Sequence, residues 1–461
     1  MSASRDASPP WKLVMLKPDE GRAVVLSAAY FFFVLFSYYL LRPLRDEMGI
    51  RGDLDKLPWL WTGTTIATLL AAPLFSWVTA RFPRRTFIPW FYRFIALNLL
   101  VFYVVLVTVA KGGPKNIQVG YAFYIWLSVV NLMMTSVFWA FMADMFVNEQ
   151  GKRLFGIIAV GGTFGAICGS LIPAFLAEHV GAVHLMLLSI VLIEGAVQCV
   201  LALCRHFQIR SATIAAMSNC PACGYDLTGL AVVDESRRCP ECGAAVPLQA
   251  PVSREPSRKV WEGLRIISKS PYLQMMVVYM LLFTITSTFV NFEQSRVIKA
   301  ASAVSDERVA IFARIDLVVN ILTLLTQLFV TGQLLTRVGV MAGLLLLPLL
   351  TLAGFTAMAM SETVMVLFVF LVLRRAMHYA IDRPTREVLY TVLGPDEKYK
   401  SKSFIDTFVY RTGDLAGAGS TILANKVAIG VLALAIPASI LWAGSAAVLG
   451  MLQKKQGKSP S

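Results

Sequence analysis

Residues 23–45 read AVVLSAAYFFFVLFSYYLLRPLR, an apolar and aromatic run that carries no charge until Arg42 and Arg45 at its end. A helix needs about 20 mainly apolar residues, at 1.5 Å rise each, to cross the hydrocarbon core of a bilayer. This run is long enough. Applied outward along the chain, the same criterion predicts twelve spans, at 23–45, 58–80, 86–110, 118–146, 154–178, 183–204, 272–297, 309–335, 339–360, 362–383, 403–425 and 428–452. The composition agrees. Of 461 residues 57% are hydrophobic and 15% charged, with a mean hydropathy of +0.65, whereas a soluble domain is about a quarter charged. Disorder and a soluble multidomain enzyme are excluded, and an all-α integral membrane protein is predicted. The first 22 residues contain Arg5, Asp6, Pro9, Pro10, Lys12 and Lys17 but no apolar h-region, so no cleaved signal peptide is expected.

Lys and Arg number 42 against 28 Asp and Glu, a net charge of +14. Basic residues near span ends mark the cytoplasmic side. With the N-terminus inside, that side holds Arg81, Arg84, Arg85, Lys152, Arg153, the basic residues of 205–269, Lys398, Lys400, Lys402, Lys454, Lys455 and Lys458. The tally is about 27 basic residues inside to about 10 outside. Both termini are therefore expected in the cytoplasm, the expected partner of the bulk surface is the lipid bilayer, and the charge requires no nucleic acid.

Six predicted spans precede 205–270 and six follow it. Three weak correspondences fall at offsets near 250–256: Lys152-Arg153 with Gly169-Ser170 against Lys402-Ser403 with Gly419-Ser420, Arg45 against Arg296, and Arg81 against Arg337. Parallel repeats joined by a cytoplasmic linker form the layout of the major facilitator superfamily, in which two six-helix bundles rock about a midplane site. The expected domains are a tail at 1–22, a bundle at 23–206, a linker at 207–270, a second bundle at 271–453 and a tail at 454–461.

The linker contains Cys220-Pro-Ala-Cys223-Gly and Cys239-Pro-Glu-Cys242-Gly. The spacing C-x2-C-x15-C-x2-C is that of a four-thiolate zinc site, and the sequence resembles small zinc ribbons with CPxCG knuckles. Two disulfides are the other reading, opposed by a reducing cytosolic loop. A closed four-cysteine site holds zinc structurally, folding a loop too short for its own core.

Charges at membrane depth cost about 2.5–3.5 kcal/mol each on insertion scales, so they face a cavity or a partner. Here they are mostly arginines: Arg42, Arg45, Arg93, Arg296, Arg314, Arg374, Arg375 and Arg411, with fewer acids at Glu194, Glu293, Asp316, Asp406 and Asp414. Arg42 and Arg45 also read as interfacial anchors, Arg411 and Asp414 as an i,i+3 pair, and His378 as a packing or cavity histidine. Arg374-Arg375 at mid-depth needs counter-charge, and guanidinium forks match phosphate and carboxylate oxygens. An anionic substrate is predicted, with Glu194, Asp316 and Asp414 as proton carriers or counter-ions.

Three stretches resemble the ATP/ADP translocase (nucleotide transporter) family. They are Phe36-Ser-Tyr-Tyr-Leu-Leu-Arg-Pro-Leu-Arg45-Asp46; Ser136-Val-Phe-Trp139-Ala-Phe with Glu149-Gln-Gly-Lys152-Arg153-Leu-Phe-Gly156 and Gly161-Gly-Thr-Phe-Gly165-Ala-Ile-Cys-Gly169; and Asp382-Arg-Pro384-Thr385-Arg386-Glu387 with Lys398-Tyr-Lys400-Ser-Lys402-Ser-Phe-Ile-Asp406. The resemblance implies a facilitator-type fold, exchange of ATP for ADP, and a bacterial inner membrane location. It places the family's basic residues on Arg45 and Arg386, and its helix 7 acid near Asn291 or Glu293. The chain departs from the family at Leu127, where the pattern has Glu, and in its inserted zinc ribbon. No G-x-x-x-x-G-K-[ST] phosphate loop is present, so no hydrolysis is implied. The readings that remain are an adenine-nucleotide exchanger, a proton-coupled carrier of another organic or phosphorylated anion, and a non-transporting sensor. No enzyme is expected.

Overall fold

The opening run is a single helix, α1 (Gly21–Ile50), continuing past Arg42 and Arg45 by another turn. The computed structural model describes residues 20–215 apart from 83, 109–113 and 147; residues 236–238, 242–243 and 245–247; and residues 260–456 apart from 362, 394–396, 398–400, 403 and 427–429. After α1 come α2 (Leu57–Arg81), α3 (Arg84–Thr108), α4 (Pro114–Met145), α5 (Asn148–Val180) and α6 (Leu185–Ala215). The central loop contributes a hairpin of β1 (Ser236–Arg238) and β2 (Ala245–Pro247), with Arg237 opposite Val246. A short helix α7 (Val260–Lys269) leads to α8 (Pro271–Ala301), whose start is capped by Ser270 with Pro271 in the first turn.

The remaining helices are less regular. α9 (Ser305–Thr326) passes through a π-helical turn at Gln327–Thr331 into α10 (Gly332–Arg337). α11 (Val340–Met360) follows, then α12 (Val364–Met377), which passes through a π turn at His378–Asp382 into α13 (Arg383–Leu389). A third π turn, Ile405–Val409, precedes α14 (Tyr410–Lys426), and α15 (Val431–Gln456) completes the chain. The first two π turns are bonded together: Gln327 donates to the Tyr379 carbonyl at 3.2 Å and Thr331 to the Ala380 carbonyl at 2.7 Å.

Ten helices of the described residues are long and apolar enough to cross a membrane. α2 and α14 stand at positions predicted as spans but outside that ten. α14 is short, at 17 residues, and Arg411, Gly413, Asp414 and Gly417 make it polar and small. Several helices run a few residues beyond their apolar windows, because charged ends sit at headgroup depth without breaking the helix. α7 lies inside the predicted linker. Its Ile267 is buried and its Leu264 exposed.

One apolar core joins α1, α3, α4 and α6 around Tyr30, Phe31, Tyr92, Phe123, Phe138 and Phe141. The two tyrosine hydroxyls within it are satisfied, Tyr30 donating to Tyr92 at 2.8 Å and Tyr92 to the Met134 carbonyl at 3.2 Å. α5 lies on α1 through the glycine run noted above. A Cβ at Gly161, Gly165 or Gly169 would strike the carbonyl oxygen of Ala28, Phe32 or Phe36, successive turns of α1. This is the small-residue packing by which membrane helices approach closely. α14 lies on α8 similarly, but there a Cβ at Gly413 or Gly417 meets the side chains of Thr284 and Thr288.

The first six helices meet the later ones at one end. α5 packs along α9, where Asn320 donates to the Ala166 carbonyl at 3.3 Å and to Ser170 at 3.2 Å. Beyond it, at the end where α1 finishes, Glu47 is fully buried and holds both Arg51 (2.6 Å) and Arg308 (2.8 Å). Arg51 also donates to Ser305, the Ala182 N–H to Asp306, and Lys299 to the Gly52 carbonyl. Every cross-bundle polar contact named here lies between mid-depth and that end, which is sealed.

Candidate functional site

Between the bundles lies a cavity of about 730 Å³. From the first bundle it is lined by Arg45 (α1), Trp61, Thr64, Thr65 and Thr68 (α2), and Tyr124, Ser128 and Asn131 (α4). Apart from Arg45 that wall is neutral. From the second it is lined by Ser287 and Asn291 (α8), His378, Tyr379, Arg383, Arg386 and Glu387 (α12 to α13), Asp406 (the third π turn), and Tyr410, Arg411 and Asp414 (α14). That wall is charged. A recess of about 160 Å³ reaches toward the sealed end, lined by Arg42, Arg45, Asp46, Asn291, Gln294 and Arg375 among others.

The recess is closed by an ion triad. Asp316 on α9 lies 3.4 Å from Arg42 on α1 and 3.0 Å from Arg375 on α12, through the same carboxylate oxygen. Its second oxygen is buried without a hydrogen-bond partner. Arg375 also donates to Gln294 (2.7 Å) and Asn291 (3.3 Å). Arg45 is held by Asp46 at 2.6 Å, Tyr38 at 3.3 Å and Ser128 at 3.4 Å, with its guanidinium 5.4 Å from the centre of the Tyr124 ring. A buried carboxylate between two guanidinium groups, one from each bundle, links the bundles at this point.

On the charged wall, Asp382 is fully buried and accepts from Tyr279 at 2.5 Å; Arg386 lies 3.1 Å from its other oxygen. Arg411 lies 3.3 Å from Asp414. Asn291 faces the cavity, while Glu293 points into the protein and pairs with Arg296 at 2.8 Å near the end of α8.

Other expected site residues stand elsewhere. Arg374 is buried behind the wall, donating to Thr351 (3.0 Å) and Ser287 (2.9 Å). Adjacent helical positions lie about 100° apart, so Arg374 and Arg375 leave α12 in different directions. Glu194 is on the outer surface, 3.0 Å from Arg93, both side chains more than 40% exposed. Arg314 pairs at 2.8 Å with Glu178 along the α5–α9 seam, with neither residue among those lining the cavity. Leu127 is buried in the first bundle's core, and the α4 residues that face the cavity are Tyr124, Ser128 and Asn131. The sequence reading did not single out Trp61, Thr64, Thr65, Thr68, Tyr124, Ser128, Asn131, Tyr379, Arg383 or Tyr410. A signal existed in Thr64-Thr65-x-x-Thr68, a polar stripe at helical spacing within an apolar run.

Of the four linker cysteines, Cys220, Cys223 and Cys239 lie outside the described residues. Cys242 is exposed in the six-residue connection between β1 and β2, followed by Gly243 at φ +69°. That backbone region favours glycine, as a CPxCG knuckle requires.

The family profile described as TLC ATP/ADP transporter matches residues 120–443, well over half of the chain. The chain belongs to this family. It is an integral membrane protein and a secondary transporter, not an enzyme. No curated protein matches it in sequence. Solved structures match over nearly the whole chain at low identity. A bacterial homologue of the iron transporter ferroportin in an inward-facing state has a TM-score of 0.62 and 12% identity, covering 94% of this chain and all of that one. The nucleoside transporter NupG has a TM-score of 0.57 and 14% identity, covering 96% and 100%. An auto-inhibited POT family peptide transporter has a TM-score of 0.58 and 13% identity, covering 95% and 97%. These likenesses establish a facilitator-type transporter fold for the TLC chain.

Proposed function

We propose that this TLC transporter carries adenine nucleotides, exchanging ATP and ADP by alternating access of the central cavity to the two sides of a bacterial inner membrane. The observation that carries the reading is that Arg45 of the first bundle and Arg386 of the second line one cavity. These are the two positions at which the family's basic residues fall. The cavity size lies within the range of about 300–1,000 Å³ common for small-molecule sites. Its Arg383, Arg386 and Arg411 offer a phosphate-binding wall. Trp61, Tyr124, Tyr379 and Tyr410 offer ring faces for a base, with hydroxyls and amides of α2 and α4 for a ribose. In this reading α2 and α14 complete a set of twelve spans in two six-helix bundles. The termini are cytoplasmic, the sealed end faces outward, and the open cavity faces the cytoplasm.

Counterflow of labelled ATP into proteoliposomes loaded with ADP tests it. Uptake of labelled ATP that depends on internal ADP supports the reading, and absence of nucleotide flux with or without a pH gradient rejects it. A second reading, proton-coupled carriage of another organic or phosphorylated anion, is favoured by Asp406 and Asp414 on the cavity wall.

For the central loop we propose that Cys220, Cys223, Cys239 and Cys242 hold a structural zinc ion. The hairpin and the Gly243 conformation fit a knuckle around the second cysteine pair. Zinc would crosslink the loop. Thiol modification with a zinc-sensitive dye present is expected to release zinc from the purified chain, and chelation to make 215–245 protease-sensitive while the helical bundle stays folded. Recovery of these cysteines as disulfides rejects the site.

A further inference from the structure

His378 stands on the cavity wall at the first position of a π turn. Its ring lies nearly parallel to Phe283 of α8, with centroids 4.6 Å apart and planes at 22°. Its Nδ1 is 3.0 Å from Asp382, whose carboxylate is fixed in turn by Tyr279 and Arg386. Nε2 has no protein partner among the described residues, yet it is absent from the sealed, unsatisfied atoms. It is thus the nitrogen open to the cavity. A histidine held at one nitrogen by a buried carboxylate, with the other nitrogen presented to a ligand space, is built to exchange a proton there.

The surrounding charges decide when. Arg374 on α12 and Arg386 on α13 stand near the ring with Asp382 as the anion between them, and Arg374 has no carboxylate within ion-pair distance among the described residues. α8 contributes the hydroxyl of Tyr279, and the wall of α14 contributes Tyr410 and the mutually paired Arg411 and Asp414. Neutral His378 therefore already faces one cation in excess. A proton on Nε2 adds to that repulsion, and a polyanion entering the cavity reverses it.

We propose that His378 is the proton-binding site of the carrier: entry of a phosphate-bearing anion draws a proton from cavity water onto Nε2, so anion and proton move together. Asp382 and Phe283 are positioning residues, fixing tautomer and ring plane. The inference rests on the anion-carrier reading. It asks in addition that the nucleotide carry a proton, so it predicts a sensitivity to proton gradients that simple exchange lacks.

The test needs no flux. Purified transporter in weakly buffered detergent with a pH indicator is mixed with ADP at a series of pH values from 5.5 to 8, and binding is read separately from thermal stabilisation. Expected are alkalinisation of the solution on binding, beyond what titration of the nucleotide phosphates accounts for, and an ADP affinity that falls as pH rises, by up to tenfold per pH unit over the interval in which only the bound state holds the proton. His378→Gln is expected to bind ADP with neither effect, and Phe283→Leu to retain uptake with a shifted pH midpoint. ADP binding without proton uptake by the unaltered protein overturns the proposal while leaving the nucleotide reading intact. Undiminished uptake by His378→Gln assigns the proton to another group and also overturns it. Should that variant not assemble, a pH-independent affinity of the unaltered protein overturns it equally. If ADP does not bind, inorganic pyrophosphate serves as the anion; failure of both rejects the carrier reading and this one with it.

Discussion

Gly161, Gly165 and Gly169 of α5 rest on the carbonyls of α1, whereas Gly413 and Gly417 of α14 rest on threonine side chains of α8. The first seam is backbone against backbone, and nothing there can turn aside. The second meets threonine side chains, whose hydroxyls and methyls change rotamer although the Thr288 Cβ beside Gly417 does not move. The walls these seams support differ in the same sense. The wall from α1, α2 and α4 presents threonines, Ser128, Asn131 and a single arginine. The wall from α12, α13 and α14 presents Arg383, Arg386, Glu387, Asp406, Arg411 and Asp414, beside two of the three π turns. In the anion-carrier reading proposed above, charge is recognised on the wall that carries the π turns, and shape and neutral hydrogen bonds on the other.

The sharpest way to break this contrast is steric. Gly165→Ala is expected to disrupt the α1–α5 seam by about 3 kcal/mol, read as loss of the monodisperse peak or a large fall in melting temperature in detergent. Gly417→Ala is expected to cost about 1–2 kcal/mol, since the Thr288 hydroxyl and methyl can rotate and only its Cβ must be displaced with the helix. Equal losses would remove the distinction. Next in size are the arginines. Arg45→Gln is expected to weaken ADP binding about 10- to 100-fold, the range for a charge-assisted hydrogen bond of about 1.5–3 kcal/mol. Arg374→Gln is expected to lower thermal stability with under threefold change in affinity, because its partners are Ser287 and Thr351. Equal effects of these two on affinity would place Arg374 in the site after all. Smallest is Thr65→Val, expected to alter ADP affinity less than threefold in titration calorimetry; a tenfold loss would show that the neutral wall also selects strongly.

Ten of the predicted spans were legible because a bilayer demands long charge-free runs, and those runs are visible one residue at a time. The cavity was only half legible, for a geometric reason. Sequence gives the depth of a charge in the membrane but not its direction around the helix. Glu194 and Asp316 are both mid-span acids. One meets Arg93 on the outer surface, and the other lies between Arg42 and Arg375. Leu127 and Ser128 are neighbours, yet one packs in a core and the other faces the cavity. Arg45 and Arg386 were found through motif resemblance, which carries direction implicitly. The π turns carry no signature that apolar periodicity could detect.

Those turns have a consequence for how α12 and α13 address the cavity. A π turn holds one more residue than an α turn, so it sets everything after it about 100° out of phase with a continuous α-helix. Arg383 and Arg386 face the cavity in the phase that this one-residue dislocation gives them. Gln327 and Thr331, gripping the Tyr379 and Ala380 carbonyls, pin the dislocation in place. Were it to migrate toward the C-terminus, past Arg383 and Arg386, the arginines would swing off the wall as if on a thread, with no helix unfolded and no bundle moved.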